Sequence, residues 1–276
     1  MIPTRFIIQW RANAPWAFDR QIEQDLIISR ALVELFSNPL IAESVAFRGG
    51  TALYKLFVEK PARYSEDIDL VQLKSEPIGP VLDAIRTYLD SWLGKPNSKR
   101  SQGRVTLIYR YLAEGMPAIP MKLKIEINTQ EHFTVLGHKQ INFSMSSDWF
   151  NGEATISTYH LNELLGTKMR ALYQRKKGRD VFDLWYVDSQ LLCDHEEIIR
   201  IFQHYIQQQN LSISRAQFEE NLIQKLSSEL FVKDMEPLLV SGVHWDIREA
   251  ANIVNEKFLS WLNGEAWKGV GHEKCI

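Results

Sequence analysis

The chain has 276 residues, 45% of them hydrophobic and 11% aromatic, enough to bury a sizeable core in one large domain or two modest ones. With 32 Lys+Arg against 34 Asp+Glu there is no global basic field, so any nucleic-acid contact must come from a local patch. Cys193 and Cys275 lack disulfide or zinc-site company, and no segment nears the roughly 20 apolar residues of a membrane span, so a soluble, cytoplasmic chain with no membrane partner is expected.

Residues Phe18 to Phe36 carry Ile22, Leu26, Ile27, Leu32 and Leu35 at helical spacing and stop before Asn38-Pro39. A short apolar stretch, Ser44 to Phe47, runs into Arg48-Gly49-Gly50-Thr51, and a second amphipathic helix follows with Ala52, Leu53, Leu56 and Phe57 on one face. Strand patterns come next at 66–73, 105–112, 121–128, 139–145 and 154–157, with a helix from about Gly79 to Leu93 between the first two. From His160 the period is helical, over about 160–174, 180–191, 195–208, 215–230 and 246–262. The expected class is α+β: a mixed sheet with flanking helices over 1–158, then a helical domain over 159–276.

In Glu66-Asp-Ile-Asp-Leu70, alternation puts Asp67 and Asp69 on one face of a strand. Two such carboxylates repel unless a cation sits between them or one takes a proton, and hard oxygen ligands of this kind suit Mg²⁺ chelated by a triphosphate. An edge strand with a solvated polar face would look the same. Gly49-Gly50-Thr51, between an apolar stretch and a helix, offers free N–H groups and a helix dipole to a phosphate; alone, it is only a tight strand-to-helix connection. In Lys122 to Asn128 the residues Leu123, Ile125 and Ile127 alternate with Lys122, Lys124, Glu126 and Asn128, so Glu126 joins the acids if the two strands are neighbours.

Lys168 falls in the middle of the apolar stripe formed by Leu161, Leu164, Leu165, Met169 and Leu172, with Arg175 on the same face two turns on. A lysine there needs an anion, either a bound phosphate or a structural carboxylate. Six of the twelve residues from Lys168 to Arg179 are basic, which is either the missing local patch or a solvated turn. Gly178 ends one helix, and Asp180 caps or charge-complements the next, with Asp183 on its side. P-loop, GxGxxG, HExxH and GxSxG patterns are lacking, and the seven histidines show no metal-ligand spacing.

Phe47-Arg-Gly-Gly-Thr51, Arg63-Tyr-Ser-Glu-Asp-Ile-Asp-Leu70, Lys124-Ile-Glu126, Lys168-Met-Arg and Lys177-Gly-Arg-Asp-Val-Phe-Asp-Leu184 together resemble the AbiEii-type nucleotidyltransferase toxins of the DNA polymerase β-like superfamily. The resemblance implies an NTP substrate, Mg²⁺ (or Mn²⁺) held by Asp67, Asp69 and Glu126, and Glu126 helping to deprotonate the acceptor hydroxyl. It implies a triphosphate cradle from Arg48, Gly49, Gly50, Thr51 and Ser65, helped by Arg175 and Arg179, with Lys168 neutralising distal charge and Asp180 and Asp183 matching a closing RDxxDL motif. It further implies an RNA acceptor, particularly a tRNA end, and the toxin of a type IV toxin–antitoxin or phage-defence pair whose antitoxin acts without stable binding. Two features depart from the wider superfamily: Gly-Gly-Thr replaces Gly-Ser, and the third acid is the longer Glu126. The rival readings are transfer of the NMP to a protein or small molecule, a non-catalytic nucleotide- or RNA-binding module, and an interaction scaffold.

Overall fold

The computed structural model describes residues 2–115 and 117–269; His272 and Cys275 lie outside them. It divides into two units: the described residues through His160 with Leu238–Val243, and the remainder from Leu161 onward.

The first unit opens with helices α1 (Thr4–Trp10) and α2 (Asp19–Phe36). The predicted stop at Asn38-Pro39 is also a start: the Asn38 side chain accepts from the Ile41 N–H, and Pro39 begins α3 (Pro39–Ser44). Strand β1 (Val45–Arg48) turns directly into α4 (Gly49–Leu56), followed by β2 (Asp67–Gln72) and α5 (Gly79–Leu93). Then come β3 (Asn97–Ser101), β4 (Arg104–Ala113), β5 (Ile119–Asn128), β6 (His138–Ser146) and β7 (Asn151–Tyr159). Together they make one mixed sheet in the order β3-β4-β5-β2-β1-β7-β6, with β2 parallel to β5 and antiparallel to β1. This is the expected α+β architecture. Strand β3 carries no apolar alternation; all five of its residues are exposed, and it exists through its pairing with β4 across a Gln102-Gly103 turn.

The hydrophobic core lies between one face of the sheet and helices α2 and α5, where Leu26, Ile85, Leu107, Leu123, Ile125 and Ile127 are almost fully buried. Burying one such side chain stabilises the fold by about 1.5–3 kcal/mol. Polar groups set into this core fix the strands. The buried Gln24 side chain of α2 donates to the carbonyls of Glu66 and Lys122 (both 2.9 Å), just before the acidic stretches of β2 and β5. Its oxygen accepts from the Tyr111 hydroxyl. Asp25 accepts from Trp10 Nε1 (2.8 Å) and Lys55 Nζ (2.7 Å), tying α1 and α4 to α2. Segment Leu238–Val243 returns to this unit, where Tyr64 N–H donates to Leu238 O and Val240 N–H to Ala62 O.

The second unit is helical: α6 (Leu161–Gln174), α7 (Arg179–Gln190), α8 (His195–Gln207), α9 (Arg215–Leu226), α10 (Glu229–Val232) and α11 (Ile247–Lys257). The single helix expected over 215–230 is broken near Ser227-Ser228, and the one expected to 262 gives way after Lys257 to a short 3₁₀ turn. Gly178 does not end a helix: α6 stops at Gln174, and Gly178 precedes α7 with an ordinary helical φ of −61°. The Lys225 ammonium caps α6 by donating to the carbonyls of Leu172 and Tyr173, and burial lowers its pKa to about 8. Among the described residues no helix is long and apolar enough to cross a membrane.

Candidate active site

Strand register gathers the first cluster. In the parallel β2–β5 pair, Asp67 lies opposite Lys124, and Asp69 opposite Glu126. Directly opposed residues share a face, so two acids on one strand and a third on its neighbour stand together. Leu123, Ile125 and Ile127 point into the core on the other side. The condition on which Glu126 joins the acids, that the two strands be neighbours, is met, and with them comes an ammonium to which the sequence reading gave no role. Lys124 Nζ lies 2.6 Å from Glu126 Oε2 and 3.7 Å from Asp67 Oδ2, while Arg104 Nη1 is 2.9 Å from Glu126 Oε1. Both Glu126 oxygens are thus engaged by cations. Among the described residues no group of three or more His, Cys, Asp or Glu converges tightly enough to hold a metal ion.

The cluster is nonetheless short of positive charge. Burial pushes the Asp67 carboxyl up to about 6; Lys124 opposes the shift, and Asp69, Glu66 and Glu126 add to it. The Lys124 ammonium stands in for a cation among hard oxygen donors, a donor set whose chemistry fits Mg²⁺ or Mn²⁺.

The glycine turn serves this cluster. Gly49 has φ +81°, and a Cβ there would sit 2.4 Å from Asp69 Oδ2, so the missing side chain is what lets the carboxylate lie against the start of α4. A Cβ on Gly50 would sit 2.4 Å from Nη2 of Arg63, whose side chain is fully buried over the Tyr54 ring. Thr51 turns toward the entry of β2. Its hydroxyl neither caps the helix nor faces outward; buried, it bonds Ser65 Oγ (2.7 Å) and donates to the Asp67 carbonyl (2.5 Å). Thr51 and Ser65 therefore hold the entry to β2. Arg48 pairs with Glu131 (2.7 Å), whose own N–H donates to Asn128 Oδ1 at the end of β5. Sequence reasoning missed Lys124, Arg104 and Glu131 as site neighbours. The one available signal was Lys124, two residues from Glu126 and so on its face.

The second unit holds the other predicted residues in an ion cluster of its own. Lys168 Nζ is 2.7 Å from Asp183 Oδ2 and 3.2 Å from Asp180 Oδ1, with both carboxylates fully buried. Arg175 closes a fork on Asp180, its Nε and Nη2 each at 2.7 Å. Asp180 and Asp183 supply Lys168 with structural carboxylates, and Asp180 pairs with it without serving as a side-chain cap. Arg179 pairs with Asp234 (3.2 Å), and Arg170 is buried over the Tyr205 ring. Much of the basic run is therefore tied down within its own helices; Lys176 is exposed.

A mixed sheet of this topology, with acids paired across adjacent strands, is a nucleotidyltransferase fold. MenT4, a nucleotidyltransferase toxin from Mycobacterium tuberculosis, is similar over 96% of this chain and 100% of its own, with a TM-score of 0.57 at 14% identity. JHP933 from Helicobacter pylori is similar over 87% of this chain and 90% of its own, with a TM-score of 0.53 at 16% identity. At such identities the likeness speaks for the fold. No curated protein matches by sequence. The profile of the family described as nucleotidyl transferase AbiEii toxin, type IV TA system, matches residues 30–253, and the chain belongs to that family. It is a nucleotidyltransferase of a toxin family.

Two outcomes follow from the ion clusters. Lys168→Met removes the ammonium shared by two buried carboxylates, leaving Asp180 to Arg175, and should cost about 3–5 kcal/mol, read from urea unfolding; an unchanged midpoint would contradict the pairing. For Asp67 the sign is opposite. A carboxyl whose folded pKa of about 6 lies above its ordinary 3.8 disfavours the fold as pH rises through that window, and the penalty persists above it. Asp67→Asn should therefore stabilise the metal-free protein at pH 7.5 by on the order of 1 kcal/mol, allowing for solvent screening, and change little below pH 4. A variant less stable than the parent at pH 7.5 would refute this.

Proposed function

We propose that the chain transfers an NMP from an NTP to an RNA hydroxyl, a tRNA end being the acceptor in view, and releases pyrophosphate. It does so as the toxin of a type IV toxin–antitoxin pair, from which a role in phage defence and an antitoxin acting without stable binding would follow. The observation that carries this reading is the opposition of Asp67 and Asp69 to Lys124 and Glu126 on one sheet face, with Asp67 held up near 6.

Asp67 and Asp69 are the residues to hold the divalent ions, and Glu126 joins them by exchanging its ammonium partner for a metal or for the acceptor proton. When bound, the metal neutralises triphosphate charge and lowers the pKa of the attacking hydroxyl. The chain supplies position. Gly49 keeps Asp69 close to the helix start, Thr51 and Ser65 hold the strand entry, and the N–H groups at the start of α4 suit a phosphate oxygen. Lys124, released from Glu126, is placed to balance phosphate charge, a task the sequence reading gave to Lys168. In this account Lys168, Asp180, Asp183 and Arg175 form a scaffold of the second unit, and Arg179 is anchored by Asp234.

Each radiolabelled NTP, incubated with total RNA and Mg²⁺ or Mn²⁺, should give labelled tRNA-sized product. Asp69→Asn should lower the rate at least about a hundredfold, the scale of losing an electrostatic group from a transfer site. Label appearing in protein or metabolites instead would replace RNA as acceptor, and undiminished transfer by Asp69→Asn would remove the carboxylates from the mechanism.

A further inference from the structure

The face of the sheet that carries the acids does not end at Glu126. Register carries it outward over β5, β4 and β3 in rows of opposed residues, which share one side of the sheet. One row runs Asp69, Glu126, Thr106, Lys99; a second runs Asp67, Lys124, Ile108, Asn97; a third pairs Lys122 with Arg110. Arg104, opposite Asn128, lies on the same side and contacts Glu126. Helices α2 and α5 pack on the opposite face of these strands, and α4 packs against β1 and β2. The result is an open surface that starts at the acids and carries cations both outward, at Lys99 on the edge strand, and along β4 and β5, at Arg110 and Lys122. Lys99, Arg110, Lys122 and Arg104 are all exposed, and the first three have no ion-pair partner among the described residues. Ile108 lies between them, and Leu112, with 52% of its surface exposed, lies just beyond Arg110 opposite Pro120.

Unpaired cations spread over three strands of a pleated surface suit a polyanion, not a compact ligand. At about 4.8 Å per strand, Lys99 lies roughly 14 Å from Asp69, so the surface is longer than a nucleotide's phosphates need. The protein's near-neutral balance makes a local concentration of this kind the place where a phosphate backbone gains most. We propose that the exposed β3–β4–β5 face, through Lys99, Arg110 and Lys122, is the track on which the single-stranded end of the RNA acceptor lies, leading its terminal hydroxyl to Glu126 and the Asp67–Asp69 pair. This rests on the RNA reading above and adds to it where the acceptor binds. The exposed aliphatic groups beside the cations give sugar or base a place to rest, and specificity for a sequence is not required, because phosphate contacts position without reading bases.

The test separates binding from chemistry. A short fluorescent single-stranded RNA with a free 3′ hydroxyl is titrated, by anisotropy and without NTP, into the parent chain and into Lys99→Glu/Arg110→Glu/Lys122→Glu. A control of equal charge change, Arg200→Glu/Lys233→Glu/Lys268→Glu, is titrated alongside. The track predicts at least a tenfold loss of affinity in the first variant and less than threefold in the control. It also predicts that the slope of log K against log salt falls by about 2, at roughly 0.7 per lost single-strand phosphate contact. The Gln versions of the same three substitutions should give an intermediate loss, and an unchanged melting temperature in them separates lost contact from lost fold. Equal losses in the two charge-reversed proteins, or parent-like affinity and salt slope in the first, would overturn the proposal. So would a parent chain that binds no RNA at low salt. If the parent binds RNA through this face while label goes only to another acceptor, the track stands and the transfer reading fails.

Discussion

Three carboxylates held at adjacent positions on one sheet face repel one another, and the fold around them is arranged to bear that repulsion. The core side of β2 and β5 is apolar and close-packed, so the strands cannot slide apart or rotate the acids away. Gln24 clamps the carbonyls just before both acidic stretches and so fixes which residues oppose which. A slip of one residue would send Asp67 and Asp69 into the core. The charge that register concentrates is met in part by Lys124 and Arg104, and Asp67 shows the remainder as an affinity for a proton. A site that holds protons near pH 6 without metal is one that gains when a divalent cation takes their place.

The second unit uses the same physics toward a different end. Asp180 and Asp183 are fully buried, but there the cations Lys168 and Arg175 meet them at hydrogen-bond distance, and the charges close on themselves. A closed, buried ion cluster fixes the geometry of the turn between α6 and α7. An open one, with Asp67 and Lys124 each about a third exposed, keeps its cation exchangeable.

Much of this was legible in the sequence. Alternation placed Asp67 and Asp69 together and put Glu126 opposite Ile125 and Ile127, because both strands bury one face and solvate the other. What alternation cannot supply is register between strands whose partners, such as Asp69 and Glu126, lie 57 residues apart in the chain, a matter settled by packing and by Gln24, so the pairing of Glu126 with Asp69 was conditional and Lys124 went unassigned. The Lys168 problem was visible as a charge on an apolar stripe, but its solution lay in a helix whose approach the sequence does not encode locally. Strand β3 was invisible for a different reason: an exposed edge strand has no buried face to impose a period. A hydroxyl after two glycines fits either a phosphate or a neighbouring strand, and the contact of Thr51 with Ser65 depends on a residue 14 positions on that local pattern does not place.

The central question is whether the acids of β2 bind a divalent cation in place of their ammonium and proton. Mn²⁺ binding followed by electron paramagnetic resonance, across pH 5 to 8, tests this without needing the acceptor. The account predicts saturable Mn²⁺ binding that weakens as pH falls through about 6, where Asp67 takes its proton, and that is lost in Asp69→Asn. Mn²⁺ affinity that is independent of pH and unchanged in Asp69→Asn would contradict it.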